Sequence, residues 1–348
     1  MTDTLPKKIV AIDLFCGAGG LTRGLLDAGI QVVAGIDNAP VCKYAYEKNN
    51  HAHFICDDIT NIEGKDLLSF YPKGCIKLLA GCAPCQPFSA YARNVNTEND
   101  PRFFLLRQFE RLAKEIKPDL ITMENVPRLR TKSVFYDFKL SLEQEGYQTS
   151  SFVVSCPDYG IPQMRKRLVF FATKQKKCIE LLPPTHTEQF ATVRDFIGEL
   201  PPVAAGEISK TDPLHRASNL SPINLLRIQH SKPGGTWKDW DKSIISNCHK
   251  KETGRSFRSV YGRMEWDKPS PTITTQCTGF GNGRFGHPEQ HRALTLREAA
   301  LLQTFPKSYT FGIEKNIPFV AVRRMIGNAV PVLLGKLIGQ SIVQHIRG

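Results

Sequence analysis

The sequence lacks the features that mark membrane proteins, secreted disulfide-rich proteins and zinc proteins. It shows no apolar stretch of the roughly 20 residues that cross a bilayer and no signal peptide, so we expect a cytoplasmic protein without membrane association. Its ten cysteines then favour a reducing compartment over a disulfide framework. Cys82 and Cys85 form a Cys-x-x-Cys pair, but no second pair follows at metal-ligand spacing, so we expect no metal site.

Negative charge is also scarce. The 348 residues include 46 lysines and arginines against 33 acidic residues, which gives a net charge of +13. Most of this excess lies in residues 163–292, which hold 21 basic and 12 acidic residues. A concentrated basic excess is typical of a protein that binds a polyanion. The alternative is a solvated basic surface without a partner, and charge alone favours neither interpretation.

A glycine-rich turn near the N-terminus is the first sign of a ligand site. Residues 9–15 form an apolar run of strand type, and the sequence Cys16-Gly-Ala-Gly-Gly20 follows directly, before a helical pattern begins. Strand, glycine turn and helix form the mononucleotide-binding start of a doubly wound α/β fold. A second strand over residues 31–36 leads to Asp37, whose carboxylate can take both hydroxyls of a ribose. The turn alone is compatible with a nicotinamide, flavin or S-adenosyl cofactor, although its departure from Gly-x-Gly-x-x-Gly disfavours a dinucleotide.

Two later strands deliver reactive side chains to the same edge of the predicted sheet. The apolar run 76–80 leads into Pro84-Cys85-Gln86, and the run 118–123 leads into Glu124-Asn125-Val126. Because ligand sites on open α/β sheets lie at the carboxyl ends of the strands, Cys85 is placed to act as a nucleophile near Glu124. A small buried cysteine and a solvated turn are the alternatives.

Six short motifs follow one another along nearly the whole chain. They are Asp13-Leu-Phe-Cys-Gly-Ala-Gly-Gly20, Pro84-Cys85-Gln86, Glu124-Asn125-Val126, Gln163-x-Arg165-x-Arg167, Arg297-Glu-Ala-Ala-Leu-Leu-Gln303 and Ile326-Gly-Asn328-Ala. In this order they resemble the motifs of the C5-cytosine DNA methyltransferases of bacterial restriction-modification systems. The resemblance implies a doubly wound, mostly parallel sheet of the S-adenosylmethionine-dependent methyltransferase type, with a smaller irregular target-recognition domain.

The reaction implied by this resemblance is chemically consistent with the residues. Cytosine C5 is too weak a nucleophile to take a methyl group unaided, and thiolate addition at C6 makes it enamine-like. The resemblance implies that Cys85 adds to C6, that Glu124 bonds N3 and the exocyclic amine, and that Arg165 holds the base while Arg167 supports the loop. Because C6 is unreachable inside a duplex, the target cytosine must be flipped out.

Three other functions remain as alternatives. A tRNA cytosine-5 methyltransferase of similar fold would keep Cys85 and Glu124, but the extended basic region favours duplex DNA. A nicotinamide oxidoreductase would use the glycine turn and leave the cysteine, glutamate and arginines without a role. A DNA-binding module without catalysis would explain the charge but does not need a nucleophile motif.

The resemblance also assigns residues to S-adenosyl-L-methionine. They are Phe15, Gly17, Ala18, Gly19, Gly20, Asp37 for the ribose, Asp58 and Ile59 for the adenine, Leu105 at the adenine edge, and Asn328 near the methionine end. Two positions depart from the family pattern. Asn38 stands where relatives often have an aromatic residue, and Ala329 stands where serine is common.

Between residues 179 and 292 the alternation of strands and helices stops, and all three tryptophans occur there. By resemblance this region is the target-recognition domain, flanked by residues 1–178 and 293–348, which together form the catalytic and cofactor-binding domain. The pair Thr272-Ile273 resembles the family's threonine and aliphatic pair, with an edge strand as the alternative. The residues expected to contact DNA are Gln86, Ser89, Arg102, Arg258, Arg263, Thr272, Ile273 and Arg284.

The resemblance extends to the partners of the protein. We expect double-stranded DNA as the substrate. We also expect a cognate restriction endonuclease, encoded nearby and without an obligatory complex. The protein is expected to be a monomer in a bacterial cytoplasm, associated with the nucleoid.

Overall fold

The computed structural model describes residues 7–84, 104–312 and 318–348. Four residues expected in the site, Cys85, Gln86, Ser89 and Arg102, lie outside the described residues. The chain separates into two compact units. Unit 1 comprises residues 1–155, 166–184 and 330–348, and unit 2 comprises residues 156–165 and 185–329. The target-recognition domain predicted from the sequence, residues 179–292, stays a prediction about function. The compact unit 2 extends further along the chain, to Ala329.

The elements of the described residues are numbered here in chain order. The strands are β1 Ile9–Leu14, β2 Gln31–Asp37, β3 His53–Cys56, β4 Ile76–Gly81, β5 Leu120–Asn125, β6 Gln148–Ser155, β7 Gln163–Met164, β8 Lys166–Thr173 and β9 Ser270–Pro271. The helices are α1 Gly20–Asp27, α2 Lys43–Asn50, α3 Gly64–Leu68, α4 Phe104–Ile116, α5 Ser133–Gln144, α6 Val193–Ile197, α7 Pro222–Gln229, α8 Asn247–Lys250, α9 Glu252–Arg255, α10 Leu296–Leu302, α11 Phe319–Asn328 and α12 Val332–Arg347.

Unit 1 is built on a sheet with the strand order β3-β2-β1-β4-β5-β8-β6. The pairs from β3 to β5 are parallel, and β8 runs antiparallel to both β5 and β6. The prediction of a doubly wound, mostly parallel sheet is therefore confirmed. The strand order reverses between β1 and β4, and open α/β sheets bind their ligands in the crevice at such a point.

The central strands β1, β4 and β5 of unit 1 are mostly apolar because helices cover the sheet. All six residues of β5 are buried, as expected for a parallel strand with both faces covered. The helix α4 turns Phe109, Leu112 and Ile116 inward at helical spacing. Phe109 meets Phe138 of α5 edge to face, with ring centroids 5.9 Å apart.

The C-terminal helical segment is the most apolar long helical stretch among the described residues, and its surroundings show how it is used. Residues 319–347 include an 18-residue window that is apolar enough to cross a membrane, judged by length and composition only. However, 67% of the apolar window is buried inside the protein, and Pro331 separates α11 from α12. The helix α12 packs against α1, where a Cβ atom on Gly24 would lie 2.4 Å from the backbone oxygen of Val332. The apolar face of α12 is thus used within unit 1.

Unit 2 is mostly irregular. Its regular pairing includes the short parallel contact of β7 with β9, in which Gln163 lies opposite Ser270. A separate apolar core lies within this unit and comprises Ile228, Trp237, Trp240, Ile244, Phe280 and Ala293. Two of the three tryptophans of the basic region therefore stabilise the unit from inside.

Candidate active site

The carboxyl group of Glu124 is the centre of the site in unit 1. Glu124 is the second-to-last residue of β5, and its side chain is only 2% exposed. Arg167 of β8 places Nε 2.8 Å from Oε1, and the thiol of Cys82, just after β4, donates to Oε2 at 2.9 Å. Burying a carboxylate is costly unless it is paired. Neighbouring strands on both sides of β5 supply that pairing.

The strand ends around Glu124 are fixed by backbone contacts. The amide nitrogen of Cys82 donates to the backbone oxygen of Leu14 at 3.2 Å, and the side-chain amide of Asn125 donates to the backbone oxygen of Ala83 at 3.2 Å. A Cβ atom on Gly81 would lie 2.6 Å from the Leu14 oxygen, so only glycine permits this approach of β4 to β1. The chain leaves the described residues after Pro84, directly before Cys85.

The two arginines of the Gln163-x-Arg165-x-Arg167 motif have different surroundings. Arg167 forms the ion pair with Glu124. The buried guanidinium of Arg165 donates to the backbone oxygens of Ile273 at 3.1 Å and Ala329 at 3.4 Å, within unit 2. The roles expected for them at the base and the loop stay predictions, whereas their contacts within the protein are clear. Arg167 is the arginine on the acid, and Arg165 is the one that supports backbone.

The glycine-rich turn has the backbone shape of a ligand cradle. Gly17 and Gly19 have φ values of 51° and 89°, in the left-handed region that glycine tolerates best. The amide of Gly17 donates to Asp37 Oδ2 and the amide of Ala39 donates to Asp37 Oδ1, both at 2.9 Å. Burial raises the pKa of Asp37, although these two bonds oppose that effect. Each carboxylate oxygen retains a lone pair that can accept a hydroxyl.

The other residues expected at the cofactor lie after strands β1 and β3 and on helices α4 and α11. Phe15 and Leu105 are partly buried against the core of unit 1, and Ile59 is buried. Asp58 is exposed after β3 and accepts bonds from the amide and hydroxyl of Thr60, which lower its pKa. Asn328 is the exposed last residue of α11 and belongs to unit 2.

A buried polar chain beneath the glycine turn was not singled out from the sequence. Asp13 is 1% exposed in β1, and the hydroxyl of Thr22 donates to its Oδ2 at 2.7 Å. The hydroxyl of Tyr46 lies 3.0 Å from that of Thr22. Burial raises the pKa of Asp13 to about 7, while the Thr22 bond opposes the shift and the charge of Asp37 adds to it. The sequence does contain a sign of this buried chain, because Asp13 is an acidic residue inside an otherwise apolar strand.

Similarity to known proteins decides the family. Residues 9–344 match the family described as C-5 cytosine-specific DNA methylase. The chain belongs to this family. The methylase is 58% identical to the Type II methylase M.HgiDII of Herpetosiphon aurantiacus over 97% of its own length and 96% of the relative. It is 34% identical to the Type II methyltransferase M1.HphI of Haemophilus parahaemolyticus over 97% and 87% of the two chains.

Solved structures support the fold of the methylase. A DNA modification methyltransferase encoded within an E. coli prophage has a TM-score of 0.74 and 21% identity, with 98% of this chain and 100% of that one covered. The Dnmt2 methyltransferase of S. pombe has a TM-score of 0.61 and 20% identity, with 97% and 99% covered. At these identities the likeness concerns the fold alone. The family membership makes the protein a cytosine-5 DNA methyltransferase.

The residues expected to read DNA divide by their surroundings in unit 2. Arg263 of the methylase is 2% exposed and donates to the backbone oxygens of Ile228, His287 and Gln290 at 2.7 to 2.9 Å. Burial lowers the pKa of Arg263 to about 10. The donors of Arg263 are thus used to hold the unit together, which disfavours the expected contact with bases, and that contact stays a prediction. The side chain of Ile273 is likewise buried.

Three expected DNA contacts keep a surface position. The side chain of Arg258 is exposed, and Arg284 is partly exposed while bonded to the backbone oxygen of Gly234. Thr272 is partly exposed, with its hydroxyl donating to the backbone oxygen of Met164 at 2.8 Å. These three residues remain candidates for DNA contact.

Proposed function

We propose that the methylase transfers a methyl group from S-adenosylmethionine to C5 of a cytosine flipped out of a specific duplex DNA sequence, through a covalent bond between Cys85 and C6. The observation that carries the proposal is the buried carboxyl of Glu124. Arg167 and Cys82 hold this acid at the carboxyl edge of the sheet, and Cys85 follows Cys82 by three residues. An acid and a nucleophile at the ends of adjacent strands are suited to act on one ring.

One oxygen of the Glu124 carboxyl group, Oε1, is suited to contact the base. Among the described residues, no donor makes an aligned hydrogen bond to Glu124 Oε1, although the Arg167 charge lies close. A buried oxygen in this state is suited to accept from the exocyclic amine of cytosine. A proton delivered by the Glu124 carboxyl group to N3 then neutralises the negative charge that develops on the ring when the thiolate adds to C6.

The reaction proceeds by addition and elimination. The thiolate of Cys85 forms a bond to C6, and the electron pair of the C5=C6 bond becomes available at C5. S-adenosylmethionine, when bound, supplies an electrophilic methyl group on a sulfonium. After C5 has gained the methyl group, a base removes the C5 proton, the double bond re-forms, and the thiolate leaves C6.

The cofactor site that we propose comprises the residues assigned from the sequence. The left-handed turn at Gly17 and Gly19 leaves room for close approach of a ligand, and Asp37 is fixed in place by backbone amides. We assign Asp37 to the ribose, Asp58 and Ile59 to the adenine, and Phe15 and Leu105 to apolar contact. Asn328, at the end of α11, is assigned to the methionine end.

We further propose that the methylase is the modification partner of a restriction endonuclease that acts separately, and that it works as a monomer on DNA in the bacterial cytoplasm, close to the nucleoid. The Type II methylases among its relatives support this role. The tRNA alternative is less favoured, because the family match is to DNA methylases.

A covalent trap tests the reaction. Methylation-sensitive sequencing of DNA from an expressing host first identifies the target sequence. A duplex with 5-fluorocytosine at that cytosine should then form a stable adduct with the protein, because fluorine does not leave as the proton does. The same duplex with Cys85→Ala serves as the control, and a tRNA transcript tests the alternative substrate. Methylation of the duplex without a trapped adduct would contradict the covalent mechanism.

A further inference from the structure

We infer that Cys82 is a positioning residue for methyl transfer, whose thiol orients the Glu124 carboxyl group towards the cytosine edge. The inference rests on the proposed function, because it assumes that Glu124 contacts the base. In the sequence, Cys82 is conspicuous only as half of a Cys-x-x-Cys pair. The structure assigns its thiol a definite contact instead, with Sγ donating to Glu124 Oε2 at 2.9 Å.

The contact from Cys82 reaches the Glu124 carboxyl group from the side opposite to Arg167. Arg167 approaches Oε1 at 2.8 Å from β8, and Cys82 approaches Oε2 from the end of β4, on the opposite side of β5. The terminal torsion of a glutamate side chain has a broad, roughly two-fold profile, so a single contact leaves it free to rotate. Two contacts on the two oxygens fix the plane of the carboxyl group.

The contact from Cys82 differs in kind from that of Arg167. The ion pair at Oε1 is close but is not an aligned hydrogen bond, and among the described residues Oε1 has no hydrogen-bond donor. The thiol therefore provides the directional bond, and the guanidinium provides the charge. A thiol is a weak donor, so Oε2 stays able to accept or exchange a bond when the base arrives.

The position of the thiol is set by the surrounding backbone. The Cys82 amide is tied to the Leu14 oxygen of β1, and Ala83 is tied to Asn125 of β5. The close approach at Gly81 brings β4 within reach of β1. Three strand ends thus place Sγ beside the acid, and serine at position 82 would place a hydroxyl donor on the same side.

The test compares donor-free and donor-retaining variants by steady-state kinetics on the target duplex. Cys82→Ala should lower kcat by roughly 3-fold to 10-fold, the scale of one ordinary hydrogen bond, because a thiol is a weak donor. The KM values for DNA and S-adenosylmethionine should stay within about 2-fold of wild type. Cys82→Ser should recover most of kcat. Cys75→Ala, which removes another partly buried thiol of unit 1, is the matched control and should behave as wild type.

A double-mutant cycle separates positioning from a general packing defect. If Cys82 acts through Glu124, Cys82→Ala should have no further effect on single-turnover rates in a Glu124→Ala background. Cys82→Gly, which also lacks the donor, replaces Cys82→Ala if the latter does not fold. Additive effects, failure of serine to restore kcat, or a wild-type kcat in both donor-free variants would each overturn the inference.

Failure of the inference and failure of the proposed function have different signatures. Full turnover by Glu124→Ala would remove the assigned role of the acid, and with it the basis for Cys82. Strong loss with Glu124→Ala and wild-type turnover with Cys82→Ala would leave the proposed function intact and refute the positioning role alone.

Discussion

The buried acid beneath the glycine turn predicts an unusual dependence of stability on pH. The pKa of Asp13 is about 7 in the folded protein against an ordinary value of 3.8. Between these values the folded state binds more protons at Asp13 than the unfolded state does. Stability from this residue is therefore fully present below about pH 4 and is lost as the pH rises through about 7. The full loss is on the order of 4 kcal/mol, from the difference between the two pKa values.

The part of this effect that falls in a practical range is smaller. From pH 6 to pH 8, ionisation of Asp13 stabilises the unfolded state at every pH, because its pKa there is far below this range. In the folded state the stabilisation gained by ionisation over this range is about half as large, because the pKa lies within the range. The free energy of unfolding of wild type therefore falls by about 1 kcal/mol at this residue. For a unit of this size that corresponds to a Tm change of roughly 2–4 °C. Asp13→Asn keeps an acceptor for the Thr22 hydroxyl but cannot ionise.

Thermal unfolding of wild type and Asp13→Asn, followed by circular dichroism from pH 5.5 to 8.5, measures the difference. The Tm of wild type should fall relative to that of Asp13→Asn as the pH rises, whatever the absolute cost of the substitution. His287, whose pKa burial lowers to about 4, titrates in both proteins and cancels. Asp66→Asn, at an exposed acid of unit 1, is the control. Parallel curves for wild type and Asp13→Asn would refute the reasoning.

Three further predictions concern catalysis and recognition. Glu124→Gln keeps the shape of the acid but loses its charge, so turnover on the target duplex should fall by roughly 10²-fold or more, with much less change in DNA affinity by electrophoretic shift; unchanged turnover would demote Glu124 to a structural role. Arg263→Ala removes several hydrogen bonds to buried backbone oxygens. It should lower the unfolding temperature of the protein without changing the methylated sequence. A folded variant that methylates a different sequence would instead support Arg263 as a base contact. Exchange of residues 227–286 for those of a relative with a different target should move methylation to the relative's site, as read by methylation-sensitive sequencing. An active chimera that kept the original site would place recognition elsewhere. Within that segment, substitution of Arg258, if it contacts phosphate, would weaken binding to all sequences and flatten the salt dependence of binding.

The sequence by itself determined the elements that depend on local chemistry. The apolar run 9–15 corresponds to β1 at Ile9–Leu14, and the run 76–80 corresponds to β4 at Ile76–Gly81. A parallel strand covered on both faces must be apolar throughout, so such strands are recognisable without knowledge of their neighbours. The glycine turn after β1 was predictable for a similar reason, because only glycine readily adopts the left-handed backbone that the turn requires.

Only the tertiary structure decided how the polar side chains are used. Cys82 and Glu124 meet across 42 positions of sequence, and no local pattern distinguishes that contact from a redox or metal pair. Arg263 and Arg258 belong to the same basic segment, yet one is buried among backbone oxygens and the other is exposed. The type of residue at each position is given by the sequence alone. The burial and partners of a residue depend on which distant segments fold against it, and those determine whether an arginine stabilises the protein or is available to DNA.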